Sequence, residues 1–337
     1  MPPPWVRRPV TVALWLTVSI VCVTLSPLIL VLGELAARLI GRSQPAILSR
    51  LIVAYFSREL AAIVACGGLW LASGGGARIG TRRFQLLHWR LLGWFVHGLA
   101  QPLAAVLAVT VHEEPSPDAI RALSSDRPLI LLSRHAGPGD TLFLADQLLS
   151  RYGRRPSIVF KQTLAFDPTI DLIAHRLPHV VVDPADADGS EARIQSVCSQ
   201  LENRGVLLLF PEGGNFTPER RRKALQSLSR KGERRVARQA QRMSHVLPPR
   251  PSGVQAALRG NPSAPVIFAA HTGLGLATRP FELWRCAPIG KTFHTRMWLV
   301  PPDDIPTDPE EQIRWLNDWW ARVDRWIDEH RTEPRFD

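Results

Sequence analysis

The sequence predicts an α/β fold, in which a mixed, mainly parallel β-sheet is flanked by helices and preceded by a helical segment that anchors the chain in a membrane. Beyond about residue 110, short apolar runs alternate with amphipathic stretches, a pattern typical of buried strands alternating with helices. Nearer the N-terminus lies a long apolar segment. The chain has 337 residues, of which 45% are hydrophobic, enough to build a sizeable core.

The N-terminal apolar segment covers residues 9–33 and contains no charged side chain. About 20 apolar residues cross the hydrocarbon core of a bilayer, so this segment is long enough to do so. It is also longer than the apolar part of a secretory signal peptide, and we interpret it as a retained anchor. Basic residues lie on both sides of it, so they do not set its orientation: Arg7, Arg8, Arg38, Arg42 and Arg50.

Two further apolar stretches follow, at residues 51–73 and 86–109. The first contains Arg58 and Glu59, and the second contains His88 among other basic side chains. Charges inside a membrane span are costly. These stretches are therefore predicted to be amphipathic helices that lie in the membrane interface or pack on the domain, and a second crossing remains open.

Six buried strands are predicted from short apolar runs bounded by turn residues. They cover residues 128–133, 157–160, 179–182, 206–210, 265–270 and 297–300. The predicted organisation has three parts: a membrane anchor with interfacial helices at 1–110, an α/β domain at 111–300, and a C-terminal segment at 301–337.

Helices are predicted between the strands from capping residues. Asp140 would cap a helix at 141–151, Ser190 would cap one at 191–204 that ends before Gly205, and Thr217 with Pro218 would start a third. Residues 310–331 place tryptophan and aliphatic side chains at helical spacing. Because the polar face of this last helix is acidic, we expect it to pack on the domain rather than insert into a membrane.

Charge and cysteine content limit the classes of partner. The net charge of +11 indicates an anionic partner, and basic residues are dense between residues 220 and 242. Anionic lipid or the phosphates of coenzyme A fit this run, and a solvated charged face is the alternative. Nucleic-acid binding is not expected, because no zinc finger or aromatic-rich basic motif is present. The cysteines, Cys22, Cys66, Cys198 and Cys286, form no metal-binding spacing and are predicted to be free thiols.

The first candidate site is the loop that follows the strand at 128–133. It contains His135, then a Gly-Pro-Gly turn, then Asp140. This turn prevents a continuous helix and can fold the carboxylate of Asp140 back to one nitrogen of the imidazole. A histidine oriented in this way can take a proton from an alcohol that attacks a carbonyl. The alternative is that Asp140 only caps a helix.

The second candidate site follows the strand at 206–210. Its sequence is Phe210, Pro211, Glu212, Gly213 and Gly214. A glycine-rich turn at the carboxyl end of a strand, beside a helix N-terminus, can approach an anionic ligand closely. The alternative is a surface turn with an exposed glutamate.

Together, the two motifs resemble those of the glycerolipid acyltransferases, which make phosphatidic acid and remodel phospholipids. The resemblance covers roughly residues 105–330, includes a segment around Lys161 and another at 265–267, and implies a role for each motif. His135 would be the general base, and Asp140 would orient it. The substrate-binding residues would be Lys161, Phe210, Pro211, Glu212, Gly213 and Gly214.

The resemblance also implies the reactants and the location. The donor would be acyl-CoA or acyl carrier protein, and the acceptor a lysophospholipid such as 1-acylglycerol-3-phosphate. No cofactor, metal or nucleic acid would be needed. The enzyme would contact membrane lipids in the inner, cytoplasmic membrane, and its catalytic domain would face the cytoplasm, where the activated acyl donors are.

Two positions depart from the family pattern. Pro184 follows Val182 and Asp183 where the family usually has an arginine for the acceptor phosphate, and Asn215 replaces a common arginine or serine. Arg176 or Arg193 could substitute. The departures favour, as an alternative, an acyltransferase for a non-phosphate lipid acceptor. A catalytically silent lipid-binding membrane protein is a further alternative, and a hydrolase is disfavoured because no Gly-x-Ser-x-Gly motif is present.

Overall fold

The secondary structure comes from a computed structural model that describes residues 2–183, 186–230, 234–272 and 290–331. The helices are α1 (Pro4–Thr24), α2 (Ser26–Ile40), α3 (Gln44–Ala72), α4 (Arg82–Leu107), α5 (Pro117–Ser124), α6 (Pro138–Asp146), α7 (Pro168–Arg176), α8 (Ala187–Ser199), α9 (Pro218–Arg230), α10 (Arg234–Arg242), α11 (Pro251–Gly260) and α12 (Pro309–His330). The strands are β1 (Thr110–Pro115), β2 (Leu129–Ser133), β3 (Arg155–Lys161), β4 (Val180–Val182), β5 (Gly205–Leu209), β6 (Val266–Thr272) and β7 (Thr292–Val300).

The chain divides into two units. The first contains Met1–Val109 and Phe160–Asp183, and the second contains Thr110–Val159 and Pro184–Asp337. A segment from the α/β half of the sequence, with α7 and β4, therefore belongs to the same unit as the N-terminal helices.

The N-terminal apolar segment is not one continuous helix. It breaks at Leu25, where α1 ends and α2 begins with Ser26 and Pro27. Proline has no backbone N–H and suits the first turn of a helix, which explains the new start. Among the described residues, α1 and α3 are long and apolar enough to cross a membrane, by length and composition alone.

Helix α3 accommodates its charged residues inside the first unit. Glu59 is fully buried and accepts hydrogen bonds from the backbone N–H of Thr169 (3.2 Å) and from its hydroxyl (2.8 Å). The guanidinium of Arg58 lies 4.0 Å from the ring centre of Trp94. The charges that argued against a second crossing thus contact protein within this unit.

The second unit is built on a mixed, mainly parallel sheet, as predicted. Its strands run in the order β1-β7-β6-β2-β5-β3, and β6 and β7 form the antiparallel pair. Strand β2 lies between β5 and β6 and is buried along its whole length. Because β2 and β5 are parallel, the loops that carry His135 and Glu212 leave the sheet at the same edge.

All six predicted strands are confirmed as β2 to β7. Strand β1 was not predicted. Its sequence, Thr-Val-His-Glu-Glu-Pro, has no apolar run, and its first three residues are exposed. Of the described strands, β1 pairs only with β7 and so forms an edge. A polar edge strand lacks the alternation that identifies a half-buried strand.

Two helix starts were predicted wrongly. Helix α6 begins at Pro138, so Asp140 lies inside its first turn rather than before it. Helix α8 begins at Ala187, because the side chain of Asp186 accepts a hydrogen bond from the N–H of Gly189 (3.0 Å). Helix α8 also ends at Ser199, earlier than predicted. The start of α9 at Pro218 is confirmed.

The C-terminal helix packs on the sheet, as predicted. Trp320 of α12 is fully buried, and the ring of Trp319 stacks on Phe268 of β6 with 4.6 Å between centroids. Aromatic burial of this kind contributes substantially to a core. The tryptophans therefore belong to the interior of the second unit.

The described cysteines are free, as predicted: Cys66 and Cys198 are buried and Cys22 is half-buried. Cys286 lies outside the described residues.

Candidate active site

The centre of the candidate site is the imidazole of His135, two residues beyond the end of β2. Its Nδ1 atom lies 3.4 Å from Oδ2 of Asp140 and 3.3 Å from Oδ1. The Gly-Pro-Gly turn therefore folds the carboxylate back to the ring, as predicted. With Nδ1–H directed at Asp140, Nε2 is the ring nitrogen left to accept a proton. About 20% of the His135 side chain is exposed.

Asp140 is held in place by several donors besides the histidine. Its carboxylate accepts hydrogen bonds from the backbone N–H groups of Ala136 (2.5 Å), Gly137 (2.9 Å) and Thr141 (2.5 Å). Capping the start of α6 and orienting His135 are therefore compatible roles, although the sequence presented them as alternatives. A carboxylate held by this many donors cannot rotate away from the imidazole.

The carboxylate of Asp140 stays ionised across the physiological pH range. Burial alone would raise its pKa, but the hydrogen bond from His135 and the nearby imidazole of His271 outweigh burial and lower the pKa to about 2. The charge can stabilise an imidazolium that forms on His135 during the reaction.

His271, on β6, lies next to the carboxylate of Asp140. Its Nε2 lies 3.1 Å from the carbonyl oxygen of Arg134 and 3.5 Å from Oδ2 of Asp140. Burial lowers the pKa of His271 to about 4, so the ring is neutral at pH 7. These contacts indicate a structural role, because His271 is only 2% exposed and supports the backbone of the histidine loop.

Glu212 connects two segments of backbone. Its Oε1 accepts a hydrogen bond from the N–H of His135 (3.0 Å), and its Oε2 accepts one from Leu247 (2.9 Å). The side chain is only 2% exposed, and burial raises its pKa to about 8. Glu212 thus positions the backbone of the histidine loop, and substrate contact by Glu212 stays a prediction.

The rest of the Phe-Pro-Glu-Gly turn also contacts the histidine loop. The ring of Phe210 packs on the imidazole of His135 with 4.5 Å between centroids. Gly213 has φ +67°, and a Cβ atom there would lie 3.2 Å from the Arg250 side chain, so this position needs glycine. The turn buries Pro211 and Gly214 and exposes Gly213. Their role in substrate binding stays a prediction.

Arg134 and His245 connect this loop to distant segments, and neither role was predicted from the sequence. Arg134 is buried and donates hydrogen bonds to the carbonyl oxygens of His271 (2.7 Å) and His245 (3.2 Å). The N–H of His245 in turn donates to Asp324 of α12 (2.6 Å). The available signal was a lone arginine directly after a buried strand, where an unpaired charge would be costly.

Residues 108–260, which include both motifs, match the family model described as Acyltransferase. The chain carries a domain of the acyltransferase family. This confirms the family that the two motifs predicted.

The chain is similar to the 1-acyl-sn-glycerophosphate (LPA) acyltransferase PlsC from Thermotoga maritima, with 12% identity and a TM-score of 0.47, over 82% of this chain and 100% of that one. Among curated proteins, no sequence matches this chain.

Three further residues were predicted for substrate contact in this acyltransferase. Lys161 ends β3 and belongs to the first unit, and its substrate-binding role stays a prediction. Arg193 forms an exposed ion pair with the carboxylate of Asp186 at 3.1 Å. Arg176 lies in the first unit, and Pro184 lies outside the described residues.

The basic run of the acyltransferase forms α9 and α10. Arg221 is used internally, since it donates to the carbonyl oxygens of Met243 (2.7 Å) and Gln241 (2.8 Å). Other basic side chains of the run are exposed, including Arg220, Arg222, Arg230, Arg235 and Arg242. This surface can attract an anionic partner.

One group among the described residues could hold a metal ion. His112 and Glu114 on β1 and His294 on β7 place ligand atoms within 4.8 Å of one another.

A pH-dependent stability is expected from Glu212. Its raised pKa means that its contribution to folding is fully present below pH 4.5 and is lost as the pH rises through about 8. Glu212→Gln cannot ionise. Between these values, its free energy of unfolding should therefore fall less steeply with pH than that of the wild type, by about 1.4 kcal/mol per pH unit.

Denaturant unfolding of both proteins at a series of pH values measures this difference. Glu310→Gln is the control, because Glu310 is exposed in the first turn of α12 and should keep the wild-type slope. Parallel slopes for wild type and Glu212→Gln would show that Glu212 ionises normally in the folded protein.

Proposed function

We propose that this chain is an O-acyltransferase that transfers a fatty acyl group from acyl-CoA or acyl carrier protein to the hydroxyl of a lysophospholipid such as 1-acylglycerol-3-phosphate. The observation that carries the proposal is the contact between His135 and Asp140 within an acyltransferase domain. The product would serve phospholipid biosynthesis or remodelling.

The geometry supports direct transfer without an acyl-enzyme intermediate. Nε2 of His135 takes the proton of the acceptor hydroxyl while the oxygen forms a bond to the thioester carbonyl carbon. The tetrahedral intermediate then collapses, the carbon–sulfur bond breaks, and the leaving thiolate receives the proton from the imidazolium. Asp140 keeps Nδ1–H in place throughout. The Phe210 ring limits rotation of the imidazole.

Charge near the turn supports an anionic donor. Helix α9 starts directly after the Phe-Pro-Glu-Gly turn, and Arg220 donates a hydrogen bond to the carbonyl oxygen of Asn215 (3.0 Å). Arg220 and Arg222 are exposed there. The phosphates of coenzyme A or of the phosphopantetheine arm of a carrier protein suit such a surface.

A non-phosphate lipid acceptor is the second candidate. Pro184 stands where the family usually has an arginine for the acceptor phosphate, and Arg193 is already paired with Asp186. A catalytically silent lipid-binding protein is less favoured, because lipid binding alone gives no reason for a buried carboxylate to orient a histidine.

Membrane association is supported by the two apolar helices α1 and α3. We propose that the enzyme resides in the cytoplasmic membrane, with its catalytic domain facing the cytoplasm where acyl donors are available. It needs no cofactor or metal in the proposed reaction, and nucleic acid is not among its proposed partners.

Acyl transfer by the purified full chain in detergent tests the proposal. Labelled acyl-CoA and acyl carrier protein would be offered with a panel of lysophospholipids, an N-acyl amino acid and a glycolipid. We expect one lysophospholipid to be acylated. Transfer only to an acceptor without phosphate would select the second candidate, and donor binding without transfer to any acceptor would contradict an acyltransferase function.

A further inference from the structure

A groove of about 710 Å³ lies within the first unit, outside the candidate active site. Its walls are formed by α1 and α3, with Val12, Leu16, Ile63, Val64, Gly67 and Trp70 among the lining residues. Basic residues line it as well: Arg8 from α1, and His175 and Arg176 from α7. The groove therefore combines a long apolar wall with a positively charged part.

The charge of Arg8 is only partly neutralised. Asp171 is fully buried and pairs with Arg7 at 2.7 Å and with Arg8 at 3.0 Å. One carboxylate thus serves two guanidinium groups. The Nη2 atom of Arg8 is enclosed and has no hydrogen-bond partner among the described residues, while about 30% of the Arg8 side chain as a whole is exposed.

Arg176 adds a second positive charge without a carboxylate. Its Nη1 donates to the carbonyl oxygen of Cys66 (2.9 Å) and lies 3.1 Å from Nε2 of His88. No acidic side chain in the described ranges pairs with it. Burial lowers the pKa of Arg176, and the positive charge of Arg8 contributes to the same effect. Arg8 and Arg176 both line the groove, so the two like charges lie in one site.

The neighbouring titratable groups do not remove this excess. Burial lowers the pKa of His88 and of His175, and both rings are neutral at pH 7. The other acidic groups on the facing elements form no ion pair with Arg8 or Arg176 within the described ranges: Glu59 is hydrogen-bonded to Thr169, and Asp167 to the hydroxyl of Tyr55 (2.6 Å). Half-buried positive charge beside an apolar wall favours an anion that carries an apolar tail.

We propose that this groove binds an anionic phospholipid of the surrounding membrane. Its phosphate contacts Arg8 and Arg176, and one acyl chain lies along α1 and α3. A free phosphate ion would leave the apolar walls unused, and a neutral lipid would leave the positive charge uncompensated. The site shares no residue with the His135 loop, and binding does not depend on the proposed acyl transfer.

Two neighbouring glycines of α3 provide a matched test. A Cβ atom added at Gly67 or at Gly68 meets no heavy atom within 4 Å, but only Gly67 lines the groove. Gly67→Phe should place a phenyl ring in the groove without displacing its walls. Gly68→Phe makes the same chemical change beside it. Each variant also replaces a helical glycine, so the effect on helix propensity is matched.

Native mass spectrometry of the full chain in micelles with equal phosphatidylglycerol and phosphatidylcholine measures the bound lipid. Wild type and Gly68→Phe should retain phosphatidylglycerol preferentially. In Gly67→Phe, lost apolar contact should weaken retention about tenfold or more. Arg176→Gln should reduce the preference for phosphatidylglycerol over phosphatidylcholine.

Three outcomes would overturn the inference. Equal retention by wild type and both glycine variants would show that lipid does not use the groove. Equal retention of the two lipids by wild type would remove the role of charge. Displacement of phosphatidylglycerol by millimolar inorganic phosphate alone would indicate a free-anion site. Lipid retention is measured without any acyl transfer. The result therefore tests the groove even if the proposed enzyme activity is not found.

Discussion

His135→Ala should lower the rate of acyl transfer by about 10²–10⁴-fold, the range lost with a general base. The substitution removes Nε2, the proton acceptor that the Asp140 contact positions. Folding should change little, because the side chain is partly exposed and its backbone N–H can still donate to Glu212. We therefore expect kcat to fall while donor binding and thermal stability persist.

The measurement is acyl transfer under saturating donor, beside a melting curve for each protein. His97→Asn is the matched control, since His97 is an exposed histidine of α4 in the other unit. Wild-type turnover by His135→Ala, with the product identified chemically, would rule out His135 as the base.

Asp140→Asn should also reduce kcat by up to about 10⁴-fold, the size of effect seen when an asparagine replaces the aspartate behind a catalytic histidine. An asparagine has one acceptor oxygen where the carboxylate has two. Its NH₂ group would then face either the N–H groups of Ala136 and Gly137 or the N–H group of Thr141, depending on which oxygen it replaces. It also permits the wrong tautomer of His135 and removes the charge that stabilises the imidazolium.

The same variant should change the acid stability of the protein. The pKa of Asp140 is lowered from 3.8 to about 2. Its contribution, about 2 kcal/mol, is therefore present above pH 3.8 and lost as the pH falls through 2. Asp140→Asn should lack this part of the acid sensitivity, as measured by denaturant unfolding between pH 2 and 5.

Asp118→Asn is the control for a carboxylate in the first turn of a helix, because Asp118 is exposed at the start of α5. It should retain activity and acid sensitivity. If Asp140→Asn kept wild-type turnover, the carboxylate would be a helix cap alone. If it lost activity but kept the full acid sensitivity, the lowered pKa would be wrong.

The strands were predictable where burial was strong and local. Strand β2 is buried on both faces, so its run of leucine and isoleucine is visible in the sequence. Strand β1 was missed because its pairing with β7 is decided by backbone hydrogen bonding at an edge, and side-chain polarity does not encode that. The break between α1 and α2 was overlooked because hydropathy does not register the proline at the start of α2.

In the candidate site, too, local contacts were predictable from the sequence and long-range contacts were not. The contact between His135 and Asp140 follows from a five-residue loop whose Gly-Pro-Gly turn restricts its own conformation, so local sequence was sufficient. The contacts of Glu212 join residues 77 and 35 positions apart in the chain. No local pattern predicts such contacts. In the sequence alone, a buried glutamate cannot be distinguished from an exposed one.

The sequence by itself determined the α/β class, six of the strands, the acyltransferase motifs and the histidine–carboxylate pair, because each depends on local periodicity or on a short turn. Only the tertiary structure decided which residues brace that pair: Arg134, Glu212 and His271 meet because parallel strands bring distant loops to one edge of the sheet. It alone also brought Arg8 of α1 and Arg176 of α7 to the same groove. Such placement depends on packing between segments more than 150 residues apart in the chain, and local sequence does not carry that information.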